Sequence, residues 1–421
     1  MRLNRAVAAG LLVPALVLGV AACGDDNSGS ADTSTSAAPA GGNLTVYSSL
    51  PLQGAQRPQT TDMVKGIRLA LKEAGNKAGP FTIKYVSKDD SSAQAGTWTP
   101  ENVSANARAA AQDKSTGVYI GEFNSGGSAI SIPILSDAKV PQISPSNTAV
   151  GLTSDEPGAE PGTPAKYYPS GFRNYTRIVP KDTIQGAALA TIMKKDGCTK
   201  VAMANDKEVY GAGLASNIEI AAKSQDLNII FNQGIDPKAP NYRSLASKAK
   251  TDGADCFVFA GITSNNGVQI YKDFSAALPT AKLYGPDGVA ESSFFNPKEG
   301  GIPASVAKKT KLTVATLSPA SYGTAGKKFF ADFAKTYGEA HPNPYAIYGY
   351  EAMSLALNAI ERSKTGTKED IVKALFATKD RDSVLGTYSI DENGDTTLTD
   401  YGVYKIVAGE QVFLETIKAQ K

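Results

Sequence analysis

The chain has 421 residues, with 43 Lys and Arg against 41 Asp and Glu, a formal net charge of +2. Arg2 and Arg5 account for that excess, so the rest is neutral, and nothing in it suggests a nucleic acid or an acidic surface as partner. The roughly 380 residues beyond the N-terminal segment exceed what one hydrophobic core usually supports, which predicts two lobes, and no later apolar run is long enough to cross a membrane.

Arg2 and Arg5 precede an uncharged apolar run, Ala6 to Ala22. That pattern predicts a signal peptide over residues 1–22 and is short for a membrane span. The run ends Leu18-Gly19-Val20-Ala21-Ala22-Cys23. Small residues before a cysteine resemble the lipobox of bacterial lipoproteins, which implies a lipidated Cys23 and a protein anchored by lipid on the extracytoplasmic face of the cell membrane. Residues 23–42 are rich in Gly, Ser, Thr, Ala and Asp without apolar periodicity, and read as a flexible linker.

From Leu44 the chain alternates strand and helix. Leu44–Ser49 and Phe81–Ser87 read as strands around a helical stripe of Met63, Val64, Ile67, Ala70, Leu71 and Ala74. Thr99-Pro100 is a helix start, with an N-cap and then proline at the first position. Val118–Ile120 is a third strand, and Asn124-Ser125-Gly126-Gly127-Ser128 opens a helix with Ile130, Ile134 and Ala138 on its apolar face. Pro133 predicts a late start or a kink there. Val140–Ile143 is a fourth strand, followed by Ser144-Pro145-Ser146-Asn147-Thr148. Such an order predicts a parallel sheet with helices on both faces. Two small, hydroxyl-rich turns then share the sheet edge where ligands bind in open α/β folds. Free N–H groups at the helix start suit a carboxylate or phosphate. Ordinary strand–helix turns favour the same residues without any ligand.

Residues 151–171 hold Pro157, Pro161, Pro164 and Pro169 and read as a long surface loop near the cleft mouth, a functional segment or a tolerated insertion. A second series follows. Asp182 with Gln185 reads as a capping pair, and Gly197 ends that helix. Strands are expected at Lys200–Ala204, Asn228–Phe231, Cys256–Ala260 and Lys282–Tyr284, the last ending in Gly285-Pro286-Asp287-Gly288. Leu312–Thr316 reads as a strand returning to the first lobe. Helices follow at Lys327–Tyr337, Ala346–Arg362 and Lys368–Phe376, then a hairpin turning at Asp391-Glu392-Asn393-Gly394. The expected lobes are 43–175 with 314–385, and 176–313 with 386–421.

Enzyme motifs are mostly absent. One histidine, His341, argues against a Ser–His–Asp triad or a histidine-rich metal site, and no cofactor is expected. No G-x-x-x-x-G-K-[ST] loop appears. Asp89-Asp90 reads as a solvated strand end, with a metal or acid–base pair as its alternative. Cys198 and Cys256 are an even pair in an extracytoplasmic setting and are expected to form a disulfide.

Four stretches carry a family resemblance. They are Phe123–Ser128 (FNSGGS), Ile143–Thr148 (ISPSNT), Asn205–Leu214 (NDKEVYGAGL) and Gly285–Ala290 (GPDGVA). In this order, at strand ends, they resemble the branched-chain amino-acid binding (extracellular ligand-binding receptor) family of ABC-importer solute-binding proteins, from Leu44 to the tail. The resemblance implies two Rossmann-like doubly wound lobes joined by a three-stranded hinge, the type I periplasmic binding protein fold. It also implies a monomer that closes on an amino acid and delivers it to a membrane permease. By residue, it implies that Ser125, Ser146 and Thr148 grip the ligand carboxylate, that Tyr210 is the second lobe's contribution from the D-K-x-x-Y-G turn, that Asp287 holds the ligand ammonium, and that Tyr345 lines the side-chain pocket. Ile262-Thr263 stands where leucine binders carry a tyrosine, which leaves the side chain open. Sensory receptors and binders of amides, urea or aromatic acids are the alternatives, and a hydrolase using Asp89, Asp90 or Asp287 a more distant one.

Overall fold

The computed structural model describes residues 41–418; the expected signal peptide, Cys23 and the linker as far as residue 40 lie outside the described residues. The chain begins with β1 (Asn43–Leu50), α1 (Arg57–Glu73), β2 (Lys77–Ala78), β3 (Phe81–Asp89), β4 (Ser91–Ser92) and β5 (Thr97–Trp98). It continues through α2 (Pro100–Gln112), β6 (Thr116–Ile120), α3 (Ser125–Asp137), β7 (Gln142–Ser144) and β8 (Tyr175–Arg177). The second series is α4 (Asp182–Lys195), β9 (Lys200–Asn205), α5 (Val209–Ser224), β10 (Asn228–Gly234), α6 (Arg243–Thr251), β11 (Cys256–Ala260), α7 (Val268–Ala277) and β12 (Lys282–Gly285). Then come α8 (Ser292–Phe295), α9 (Ala304–Ala307), β13 (Thr310–Val314), α10 (Thr324–Tyr337), α11 (Ala346–Arg362) and α12 (Lys368–Phe376). A last group, β14 (Arg381–Ser383), β15 (Gly386–Tyr388), β16 (Asp400–Val407) and β17 (Glu410–Lys418), completes the described chain.

Two large sheets result. The first has the order β2-β3-β1-β6-β7-β8 and is parallel except at β2–β3. The second has the order β10-β9-β11-β12-β13-β16-β17, parallel from β10 to β13 and antiparallel beyond. In each, the chain winds one way from its first strand and then the other, so a switch point opens beside β1 and β6, and beside β9 and β11. Ligand crevices form at such points, outside the carboxyl ends of the strands. Strand interiors such as Val118-Tyr119-Ile120 and Phe257-Val258-Phe259 are fully buried, as strands covered on both faces must be.

The helices α1 and α11 pack backbone to backbone. A Cβ built on Gly66 would stand 2.2 Å from the Ala346 carbonyl oxygen, and one on Gly349 2.3 Å from that of Met63. Only glycine tolerates such an approach.

Three crossings join the lobes: between β8 and α4, after β13, and ahead of β16. They are bonded to one another. The fully buried Arg177 donates through Nε to Asp395 Oδ1 at 2.7 Å, and Lys181 Nζ lies 3.1 Å from Asp395 Oδ2. Tyr401 Oη donates to the Pro180 carbonyl at 3.2 Å, and Tyr404 Oη to that of Thr316 at 2.9 Å.

Several expectations need correction. The strand expected over Leu312–Thr316 does not return to the first lobe: β13 pairs between β12 and β16 in the second sheet, and the chain crosses after it. The Asp391–Gly394 turn closes only an isolated bridge, Ile390 with Thr396, while the long hairpin turns at Ala408-Gly409, both at positive φ. The helix α3 starts on time and runs past Pro133. Its deepest face is Ser125, Ser128, Ile132 and Leu135, while Ile130 and Ile134 are half-buried. Small serines there let the helix sit close to the sheet. The expected Asp182–Gln185 capping pair is not made, since Gln185 Nε2 donates to the Thr313 carbonyl at 3.2 Å and the N-cap, Lys181, makes no side-chain cap bond.

Candidate functional site

Each wall of the cleft is built from strand-end turns. On the first lobe, Asn124 caps α3 in extended conformation, which places Ser125 at the first helical position. There the Ser125 and Gly126 N–H groups precede the first bond of the helix, which the Gly127 N–H makes to the Asn124 carbonyl at 3.0 Å. The Ala149 N–H donates to Ser125 Oγ at 3.3 Å, which ties this turn to the one after β7. That second turn is fixed from below: Ser146 Oγ and Asn147 Nδ2 both donate to the Phe123 carbonyl, at 3.0 and 2.8 Å. Arg177 Nη1 donates to the Asn147 and Ala149 carbonyls, so the hinge and these two turns are one network.

On the second lobe, Asp206 is an anchor rather than a ligand group. Its carboxylate accepts from the N–H groups of Glu208 and Ile262 and from Asn265 Nδ2, at 3.1, 3.0 and 3.0 Å. These bonds lock the β9 turn to the β11 turn and set Tyr210 and Ile262 side by side. Asp287 follows β12. Tyr210 Oη donates to its Oδ1 at 2.7 Å, and Tyr345 Oη, at the start of α11 on the first lobe, donates to its Oδ2 at 2.6 Å. The Tyr345–Asp287 bond crosses the cleft. So does the bond from Ser293 Oγ to the Ala55 carbonyl, at 2.8 Å. The lobes are therefore closed.

Ser125, Ser146, Thr148, Tyr210, Ile262, Asp287 and Tyr345 line one cavity of about 30 Å³ together with Phe123, Asn124 and Gly288. Thr263 stands just outside it, buried, with its hydroxyl 3.5 Å from the Gly288 carbonyl. Asp287 is the one acidic side chain among the residues that line it. Burial pushes the Asp287 carboxyl up, against the two tyrosine hydroxyls that favour its charged form.

Two further carboxyls were not singled out as site groups from the sequence. Asp182 is fully buried beneath Thr148, and its N–H donates to the Thr148 carbonyl at 2.8 Å. Neither of its carboxyl oxygens finds a partner among the described residues. Burial holds it well above the usual carboxylate range, and the Asp287 charge adds to that. Glu291, four residues beyond Asp287, is the other. Nothing in the local pattern separates either from a solvated acid; only the sheet edge that buries them does.

Asp89 and Asp90 are not a solvated strand end: Asp89 is half-buried and Asp90 buried. The Asp89 carboxylate accepts from the Leu52 N–H, the Ser91 N–H and Gln53 Nε2 and so shapes the turn into α1. Asp90 and Glu122 are both about 1% exposed. Burial raises both carboxyls, and the neighbouring Glu122 raises Asp90 further. Tyr119 Oη donates to Glu122 Oε1 at 2.6 Å. Among the described residues the one grouping with metal-ligand spacing is Cys198, Asp255 and Cys256, and its two sulfurs are bonded to each other.

A sequence model of one family, the periplasmic binding proteins, matches residues 48–411. This chain belongs to that family. Members of the periplasmic binding protein family bind solutes rather than transform them. The leucine-specific-binding protein of Salmonella typhimurium is 26% identical over 257 residues, 61% of this chain and 66% of that protein, just under two thirds of its length. Leu/Ile/Val-binding protein homolog 1 of Brucella melitensis is 24% identical over 363 residues, covering 85% of this chain and 88% of the relative. Among solved structures, the leucine binding protein LivK from Thermotoga maritima superposes with a TM-score of 0.77 at 21% identity, covering 89% of this chain and 99% of that one. A solute binding protein from Rhodopseudomonas palustris in complex with p-hydroxybenzoic acid gives 0.73 at 18% identity, covering 90% and 98%. Both establish the type I periplasmic binding protein fold for this family member. Among the described residues no helix is long and apolar enough to cross a membrane.

Proposed function

We propose that the protein captures an amino acid between its lobes and delivers it to an ABC permease, held at the outer face of the membrane by lipid on Cys23. The observation that carries the ligand class is Asp287, a buried carboxylate that takes one tyrosine hydroxyl from each lobe and lines the same cavity as Ser125, Ser146 and Thr148. A zwitterion needs donors at one end and an anion at the other, and charge-assisted hydrogen bonds of that kind are the strong ones. The relatives named for leucine, isoleucine and valine support an amino acid. An aromatic acid would set a carboxylate against Asp287 with no ammonium to neutralise it.

A ligand gripped by both lobes stabilises the closed state because only that state makes both sets of contacts. The permease can then read closure. Calorimetric titration of Asp287→Asn tests the ligand class. Removing the charge leaves a buried ammonium unpaired, a loss of about 3–5 kcal/mol, which is a hundredfold or more in affinity. A folded Asp287→Asn that binds amino acids as tightly as the native protein overturns the assignment. For the anchor, Cys23→Ala is expected to move the protein from membrane to soluble fractions; unchanged retention speaks against lipidation.

A further inference from the structure

Two buried acids of the first lobe stand behind the turn that opens α3. In the first sheet β1 lies between β3 and β6. Asp90 follows β3, and its N–H donates to the Leu50 carbonyl at the end of β1, at 3.2 Å. Glu122 follows β6 on the other side of that strand end, where a Cβ on the preceding Gly121 would stand 2.8 Å from the Ser49 carbonyl oxygen. The two carboxyls meet there, each about 1% exposed and within hydrogen-bonding reach of the other.

Each carboxyl has one oxygen served by a hydroxyl and one left over. Ser49 Oγ donates to Asp90 Oδ2 at 3.4 Å, and Tyr119 Oη to Glu122 Oε1 at 2.6 Å. Asp90 Oδ1 and Glu122 Oε2 find no donor among the described residues. Two ionised carboxylates only accept, so both oxygens would stay unsatisfied and two like charges would face each other away from water. A single proton between them satisfies both at once, in the stronger O–H···O⁻ class of hydrogen bond. The surroundings offer no competing cation. Asp89 and Tyr119 are the titratable groups that act on the pair, and β1 and α3 add the hydroxyls of Ser49 and Ser131. From α2 come Val103, and Asn106, whose Nδ2 donates to Ser49 Oγ at 3.1 Å.

Glu122 is fastened to both turns that line the cavity. Its N–H donates to Ser128 Oγ of α3 at 3.1 Å, its carbonyl accepts from Ser144 Oγ at 3.0 Å, and the next residue, Phe123, lines the cavity itself. We propose that Asp90 and Glu122 share one proton and together position the Phe123–Ser125 turn, so that the shape of the ligand site depends on that proton being held. The tie to ligand rests on the reading of this cavity as the amino-acid site. Burial raises both carboxyls, and the Glu122 charge raises Asp90 further. The folded chain therefore binds a proton that the unfolded chain, with carboxyls near 4, has lost. Stability falls as pH rises above that range and levels off above the folded value. Once hydroxide takes the shared proton, the two carboxylates repel and the turn loosens.

The experiment needs no ligand. Trp98, the one tryptophan of the chain, pairs with Ser91 beside Asp90, and its Cζ2 lies 2.8 Å from where a Cβ on Gly126 would stand. Its emission reports on the turn. Purified full-length native protein and Asp90→Asn are carried from mildly acid to alkaline pH, following Trp98 emission and melting temperature, with infrared absorption of protonated carboxyls read at neutral pH. The native protein is expected to show an alkaline shift in emission and a melting temperature that falls as pH rises. Asp90→Asn, whose amide donates to Glu122 as the shared proton does, should lose the emission shift, flatten the melting profile and lose part of the infrared band. An infrared band that Asp90→Asn leaves intact overturns the shared proton. Native emission that stays constant overturns the positioning role. A shift that persists in Asp90→Asn belongs to another group, such as Glu208, whose Oε2 lies 3.1 Å from the same Gly126 position, and overturns the proposal as well. Each of these outcomes leaves the amino-acid reading standing. Should Asp90→Asn not fold, Glu122→Gln carries the same comparison.

Discussion

Asp395 is the residue on which the crossings converge, bonded to Arg177 and Lys181 and itself buried. Burial opposes its ionisation, but Arg177 and then Lys181 outweigh that and hold its carboxyl below the ordinary value. A depressed folded value means stability that is present above the unfolded pKa of about 3.9 and is lost as pH falls through the folded value. Asp395→Asn should therefore destabilise the protein at neutral pH by about 3–5 kcal/mol, because it strands a buried guanidinium. It should also flatten the acid limb of a plot of melting temperature against pH. An unchanged acid limb would assign that limb to other carboxylates. At this scale the sequence was legible where residue type and turn signature coincide. Ser125, Thr148, Tyr210 and Asp287 lie in strand-end motifs with recognisable composition, and the cavity gathers all of them. Asp182, Glu291 and Glu122 were not, since a lone acid in a polar segment reads the same whether water or protein surrounds it. Thr263 is one residue off the cavity because the turn after β11 points Ile262 inward instead.

Among elements, β9 and β11 are neighbours in the second sheet, and Cys198 ahead of one meets Cys256 at the start of the other. Their Cα atoms lie 5.8 Å apart, and the bond closes a loop with a sequence separation of 58. Constraining a loop of that length in the unfolded chain is worth ~4 kcal/mol in the entropic model. Both cysteines lie at the amino ends of their strands, and the ligand cleft lies at the carboxyl ends. Replacing both with serine should thus lower the melting temperature by roughly 10 °C while affinity for the ligand stays within about twofold. A large loss of affinity in a folded double variant would show that the bridge positions the cleft. Long periodic helices and buried strands were legible here because their patterns extend over several turns. The helix α8 was not, at four residues, and neither was the pairing of β13, which depends on β16 arriving from far along the chain. The tail hairpin was misplaced because Asp391-Glu392-Asn393-Gly394 has turn composition without flanking strands that pair, while Ala408-Gly409 lacks that composition and does turn the chain.

The whole molecule is two walls and a set of bonded crossings, with Tyr345–Asp287 and Ser293–Ala55 as latches between the walls. Ligand should shift the population toward the latched form, so small-angle scattering is expected to give a smaller radius of gyration as ligand saturates the protein. A radius that stays constant through saturation would mean that the lobes do not open. The loop 151–171 spans the same gap at another place. Tyr167 and Tyr168 are buried against the first lobe, while Gly158 abuts Asn217 of α5 over a cavity of about 460 Å³. Its proline-rich sequence announced a loop, but not that it reaches across. The glycine contact between α1 and α11 has a different kind of outcome, one of timing. Gly66 is made early by the ribosome and Gly349 late, and the first lobe cannot complete its packing until the second lobe has been synthesised between them. Contacts so far apart in sequence form slowly. A nascent chain of this design stays unfinished until nearly all of it exists, the condition in which a polypeptide can still be threaded through a membrane pore before it folds.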